Sequence, residues 1–253
     1  MKITASIVTY NNSETIEKCI ESLLKETGNR GYKFRLYIYD NASTDITPEL
    51  LSGYSDRVKV IYGDTNKGFG YGHNYIIKRV RSDVHFVINP DIYIEEDILG
   101  EMAEFLKYNA ETGLITPKIL NTDGTLQPIP KYGPSIRYSF IGNLPGFKWL
   151  RRKYSRFDED LSEATEIEFC TGCFFGGRTD YLKKLHGFSP EYFIYCEDSD
   201  LSKKVLKDEH NIIYYPYVSA YHNWSRDNTR HFRGFVRFIR SLIIYFNKWG
   251  WKF

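Results

Sequence analysis

Four short, nearly continuous apolar runs, each followed by a turn cluster or a helical pattern, set the strongest limit on what this chain can fold into. ITASIVTY comes first, and SETIEKCIESLLKE then carries Ile16, Ile20, Leu23 and Leu24 at helical spacing. Runs without polar alternation belong to strands covered on both faces. The unit recurs as FRLYIYD before NASTD and a short helix, VKVIYG before NKGFGYGHNYIIKRV, and VHFVIN before Asn89-Pro90-Asp91. Such βα repetition predicts an α/β fold with a doubly wound, mostly parallel central sheet flanked by helices. Sheets of this kind bind ligands beyond the carboxyl ends of their strands. Here those ends carry Thr9, Tyr10 and Asn11, then Asp40 and Asn41, then Asn66, Lys67 and Gly68, and finally Asn89, Pro90 and Asp91.

Composition narrows the class. With 253 residues, 42% of them hydrophobic, the chain can bury a sizeable core within one domain. A formal net charge of +2 excludes a surface built throughout for nucleic acid. No segment has the apolar length to span a bilayer. The start, MKITASIVTYNN, enters a strand pattern directly without the features of a signal peptide, so a cytoplasmic location is expected. Cys170 and Cys173 form a CxxC, but neither a second pair nor zinc-type histidine spacing follows, so Cys19, Cys170, Cys173 and Cys196 read as reduced structural thiols.

From about Pro117 to Glu168 the periodicity weakens into a stretch rich in Pro, Gly, Tyr and basic residues, which reads as a lid or acceptor-side insertion. Regular structure resumes at EIEFCTGCFFGGR, followed by a helix from about Ser199 to Glu209, a strand at NIIYYP, and a last helix over most of His231 to Trp249. In that last helix Arg230, Arg233, Arg237, Arg240 and Lys248 fall on one arc, and Phe232, Phe235, Val236, Ile239, Leu242, Ile243, Phe246 and Trp249 on the opposite one. Such a helix either packs on the core with a solvated basic face or lies on an anionic membrane surface. The aromatic ending KWGWKF leans toward a membrane or a partner subunit, including a second copy of the chain.

Seven motifs in order, VTYNN, DNASTD, NKGFGYGHN, NPD, GCFF, YCEDSDL and YHNWS, make the chain resemble the inverting, nucleotide-sugar-dependent glycosyltransferases of family 2, which have the GT-A fold. The resemblance covers nearly the whole length. NKGFGYGHN followed by NPD is most similar to bacterial rhamnosyltransferases. It implies one GT-A domain over residues 1–228, with a nucleotide-sugar half at 1–116, the insertion at 117–168 and an acceptor and catalytic half at 169–228, followed by the basic helix at 229–253.

The resemblance also implies roles. Transfer from a nucleotide diphosphate sugar leaves charge on the diphosphate, which a divalent metal, Mg or Mn, held by a carboxylate would offset. Pro90 ends strand pairing, so that Asp91 can project from the rim as the main metal ligand, with Asn89 standing where the family usually has an acidic residue. His222 is the second metal candidate, and its imidazole favours Mn by softness. Asp40 matches the carboxylate that accepts the ring imide hydrogen of uracil or thymine, a group cytosine does not offer. Thr9, Tyr10, Asn11, Asn41, Lys67, Gly68, Asn74 and Asn89 complete the nucleotide-binding set, the glycines at 68, 70 and 72 allowing close backbone approach.

Asp198 maps to the general base that deprotonates the acceptor hydroxyl, with Glu197 orienting the acceptor and Asp200 a cap or structural partner. Gly172, Cys173 and Trp224 fall on the acceptor side. The expected reaction moves a sugar, rhamnose from dTDP-rhamnose, to a hydroxyl of a bacterial glycan or lipid-linked precursor. A UDP-hexose donor and a non-enzymatic nucleotide-sugar-binding subunit are the rival readings.

Overall fold

The structure, a computed structural model, describes residues 1–28, 30–139, 141, 146–156, 158–223 and 232–252. The chain runs β1 (Lys2–Thr9), α1 (Ile16–Thr27), β2 (Lys33–Asp40), α2 (Thr47–Ser52), β3 (Lys59–Tyr62), α3 (Phe69–Ile77) and β4 (Val84–Ile88). These are the four expected repeats. Strands β3, β2, β1 and β4 lie side by side and all parallel. β1 sits inside this sheet, and every residue after Lys2 in it is buried, which is why its sequence shows no alternation. Helix α1 lays Ile16, Cys19, Ile20 and Leu23 against the same core, as its spacing predicts.

The second half is mixed. It comprises β5 (Ile92–Tyr93), α4 (Ile98–Tyr108), β6 (Thr112–Leu120), α5 (Ile136–Ser139), α6 (Lys148–Tyr154), β7 (Thr165–Glu166), β8 (Phe174–Arg178), α7 (Thr179–Lys184), α8 (Glu197–Lys207), β9 (Asn211–His222) and α9 (Phe232–Trp249). β8 inserts antiparallel between β4 and β6, β9 runs parallel to β6, and the short β5 and β7 pair antiparallel with β9. The whole is one central sheet flanked by helices.

Two irregularities position the site. Asn89 N–H still bonds Cys173 O at 2.8 Å, but Pro90 has no N–H to extend the ladder, and the chain leaves β4 there. It re-pairs immediately as β5, where Ile92 faces His222. On β9, Pro117 is matched with Tyr215 but Lys118 with Ser219, so three residues beginning at Pro216 bulge out of register. The bulge separates the part of β9 that follows β6 from the part that carries His222 to β5.

Candidate active site

Two adjoining recesses open where β1, β2 and β4 end. One, of about 390 Å³, is lined by Thr9, Tyr10, Asn41, Gly68, Phe193 and Arg237 among others. The second, of about 320 Å³, takes Gly172, Cys173, Glu197, Asp198, Lys131 and His222. Asn12, Phe69, Asn89, Asp91, Ile194 and Tyr195 belong to both, so the recesses are halves of one cleft.

Asp91 and His222 meet at the junction, with His222 Nε2 3.2 Å from Asp91 Oδ1. Two backbone features hold them: the β5–β9 pairing and the Asn223 N–H bond of 2.9 Å to Asp91 O. Gln127 fixes the ring. Its amide nitrogen donates to His222 O at 3.0 Å, which leaves its Oε1, 3.1 Å from His222 Nδ1, as an acceptor. Nδ1 therefore carries the proton, and in the neutral ring Nε2 turns its lone pair toward Asp91. Asp91 Oδ1 is itself buried without a hydrogen-bond donor. A carboxylate oxygen and an imidazole nitrogen converging in this way fit a divalent cation such as Mn or Mg. Among the described residues no cluster of three or more His, Cys, Asp or Glu side chains that could hold a metal is found.

Glu197 and Asp198 open α8. Tyr195 and Cys196 precede them with φ of 75° and 65°, a left-handed pair that turns the chain abruptly into the helix. Asp198 Oδ2 accepts the Gly172 N–H at 3.0 Å and Oδ1 the Ser199 N–H at 2.7 Å. Burial nevertheless holds its carboxyl above the ordinary carboxylate range. Glu197 is pushed up to about 8 by burial and then by the charge of Asp198, and its Oε2 is buried without a partner. Both neighbouring carboxyls thus hold a proton more tightly than an exposed carboxyl does.

The other expected residues divide. Thr9, Tyr10, Asn41, Gly68 and Asn89 line the first recess, and Gly172 and Cys173 the second. Asn41 bridges two loops, donating to Gly68 O at 3.0 Å and accepting Lys67 N–H at 2.9 Å. Asn11 lies outside both recesses and braces the loop after β2, where its Oδ1 accepts Thr44 N–H at 2.8 Å; Asn12 takes the place in the lining. Asn74 is likewise a clamp rather than a lining residue, bonded at 2.7 and 2.9 Å to the carbonyl and amide of Phe188. Lys67 faces a side recess shared with Arg237 and Arg240. Asp40 is buried beneath the rim, its carboxylate toward Ser43 N–H and close to the half-exposed Tyr62, and burial raises it above the ordinary range. Trp224 lies outside the described residues.

The glycines after β3 serve packing more than ligand approach. A Cβ at Gly70 would come within 2.7 Å of Phe188, and one at Gly72 within 2.7 Å of Val8; only Gly68, with φ 89°, lines the cleft. All four cysteines are free and buried, and burial pushes the Cys173 thiol up to about 12. Sequence reasoning placed Asn66 on the rim but missed Asn12, Gln127, Lys131, the segment from Phe193 to Tyr195, and Arg237 as lining residues. Most come from irregular loops without periodicity, and Arg237 sat on an arc read as facing solvent or membrane.

A cleft at the carboxyl ends of parallel strands, closed by a mixed second half with Asp91, His222, Glu197 and Asp198 on its wall, sits in a fold shared with the GT-A glycosyltransferases. Residues 4–186 match the model for glycosyl transferase family 2, and the chain belongs to that family. It is 23% identical over 237 residues to the N-acetylglucosaminyl-diphospho-decaprenol L-rhamnosyltransferase of Mycobacterium tuberculosis, covering 88% of this chain and 76% of that one. It is 22% identical over 249 residues to rhamnosyltransferase WbbL of Escherichia coli, covering 94% and 90%. Among solved structures, GalNAc-T7 with UDP, GalNAc and Mn2+ superposes with a TM-score of 0.69 at 15% identity, covering 89% of this chain and 44% of that one. A mannosyltransferase from Pyrobaculum calidifontis with GDP-Man and Mn2+ gives 0.67 at 16%, covering 97% and 63%. At these identities the structural likeness speaks for the fold alone.

Proposed function

We propose that the protein is a metal-dependent inverting transferase that moves rhamnose from dTDP-rhamnose to a hydroxyl of a bacterial cell-surface glycan or its lipid-linked precursor. One observation carries the reading: Asp91 and His222 open onto the same recess as Glu197 and Asp198, so a group for the departing diphosphate and a base for the incoming hydroxyl flank one cleft. The rhamnosyl donor is supported by the names of the two relatives above. A UDP-hexose donor is the second reading, favoured by the UDP-GlcNAc complex of S. aureus TarS, which superposes with a TM-score of 0.62 at 20% identity.

In this mechanism Asp91 and His222 would hold the cation, which when bound supplies positive charge against the leaving diphosphate. Asp198 takes the proton of the acceptor hydroxyl as it attacks the anomeric carbon from the face opposite the diphosphate. Its raised affinity for a proton, caused by burial, suits that task. Glu197, protonated at neutral pH, donates a hydrogen bond to the acceptor instead of competing as a base. Asp40 serves as acceptor for the imide of the nucleobase.

A lipid-linked acceptor would bring the protein to a membrane surface. No helix among the described residues is long and apolar enough to cross a membrane. α9, however, leaves Phe235, Val236 and Ile243 exposed beside Arg240, a pattern suited to lying on anionic lipid. The test is turnover with dTDP-rhamnose, UDP-glucose and UDP-GlcNAc in the presence of Mn or Mg and of chelator. Hydrolysis or transfer of dTDP-rhamnose alone, abolished by chelator, supports the reading. Binding of donors without any turnover would return it to a nucleotide-sugar-binding subunit.

A further inference from the structure

The last helix of the chain reaches back across the donor side of the cleft. Gly234 and Arg237 of α9 line the same recess as Thr9, Asn41, Gly68 and Asp91. Arg237 is held there by an aromatic support: its guanidinium carbon lies 4.8 Å from the centre of the Phe193 ring. Phe193 is in turn fixed against the glycine loop. Its carbonyl accepts the Phe69 N–H at 3.1 Å, and it lies so close to Gly68 that a Cβ there would stand 2.1 Å from the oxygen.

Among the described residues no carboxylate pairs with Arg237, although the surface supplies ion-pair partners to Arg57, Arg152 and Arg156. Lys67 and Arg240 share the adjoining recess with it, against the one carboxylate of Glu191, so cations outnumber acids there. An arginine stacked on a ring, facing a cleft and lacking a counter-ion is arranged to receive a planar or tetrahedral oxyanion with two parallel N–H donors.

We infer that Arg237 is a donor-binding residue, its guanidinium taking the diphosphate of the nucleotide sugar from the side opposite the strand ends. The inference rests on the nucleotide-sugar reading above. It makes α9 part of the donor site rather than an appendage. A diphosphate could also arrive on a lipid-linked acceptor, but Arg237 shares its recess with Thr9 and Asn41 of the nucleotide half and not with Glu197 or Asp198, which favours the donor.

Calorimetric titration in the presence of Mn tests it, using dTDP, UDP, uridine and geranyl diphosphate against wild type, Arg237→Ala, Arg237→Gln and the surface control Arg57→Ala, whose partner is Glu21. For a lost charge-assisted bond the alanine variant should bind the nucleoside diphosphates roughly 10- to 100-fold more weakly, with uridine and the control unchanged. Arg237→Gln, which keeps a stem on Phe193, should fall between, and thermal melts of both variants confirm that they fold. Wild-type affinity for dTDP and UDP in both variants, or a loss confined to geranyl diphosphate, overturns the inference while leaving the proposed function standing. Failure of the wild type to bind any nucleoside diphosphate overturns both.

Discussion

The indole N–H of Trp249 donates a 2.8 Å hydrogen bond to the carboxylate of Asp200, tying the end of α9 to the first turns of the helix that opens with Glu197 and Asp198. Asp200 is wholly buried and also accepts from Ser189 Oγ at 2.5 Å, while Lys248 Nζ lies 2.8 Å away. It is a hub between α8 and α9 and not a helix cap.

Removing that hub leaves several donors without an acceptor. Asp200→Ala should cost about 3 kcal/mol, allowing for the partial exposure of Lys248, and Trp249→Phe about 1.5 kcal/mol. Urea unfolding of both variants measures this. A loss under 0.5 kcal/mol for Asp200→Ala, on the order of a neutral surface change, would contradict it.

Asp198→Asn keeps the shape and the bond from Gly172 but cannot take a proton. Turnover should drop by a factor on the order of 100 or more, while affinity for the donor stays within a few fold. Steady-state kinetics beside donor titration separates the two effects, and near wild-type transfer would move the base elsewhere.

Asp91→Ala should weaken donor binding in Mn and leave the residual binding in chelator unchanged. Gln127→Leu should show a milder form of the same loss, because it frees the His222 ring without removing a ligand, typically about 10- to 100-fold in metal affinity. Equal donor affinity with and without chelator in the wild type would deprive Asp91 of its role.

The raised carboxyls make the protein sensitive to pH. Glu197 titrates at about 8 in the folded chain against an ordinary 4.5, so between those values the folded state keeps a proton that the unfolded chain has released. Its contribution to stability is complete below about pH 4.5 and is lost as pH rises toward 8. Glu197→Gln should flatten this decline, narrowing the difference in Tm between pH 5 and pH 8 by roughly 3 °C or more. Turnover of the wild type should instead rise with pH as Asp198 loses its proton. Parallel melting curves that differ between wild type and variant by a constant amount would refute the assignment.

How much of this was legible depended on burial and periodicity. β1 to β4 could be read because strands covered on both faces write uninterrupted apolar runs, and Asp91 and His222 stood out through motif order. α8 begins at Glu197, two residues before the expected Ser199, because the left-handed turn at Tyr195 and Cys196 uses no glycine and so leaves no mark. β5 was hidden by its brevity, since Ile92 and Tyr93 are too few to show a period. Asn74 sits among glycines that suggest a phosphate loop, yet its partner Phe188 is distant in sequence and could not be inferred from it. Arg237 shows the same limit from the other side. Its helix could be drawn with a basic arc, but which neighbour that arc meets is decided by tertiary packing.

The antiparallel insertion of β8 has a consequence for synthesis. β4 is the inner wall of the cleft and pairs on one side with β1, but its other side waits for β8, so the growing chain must extend from Ile88 to Phe174 before that row of amides and carbonyls is matched. Until then the ribosome presents a buried-type strand, Val84 to Ile88, with an unguarded edge. The nascent first half is therefore a sticky half-sheet, and expression should respond to chaperone supply and to the speed with which the intervening segment is translated.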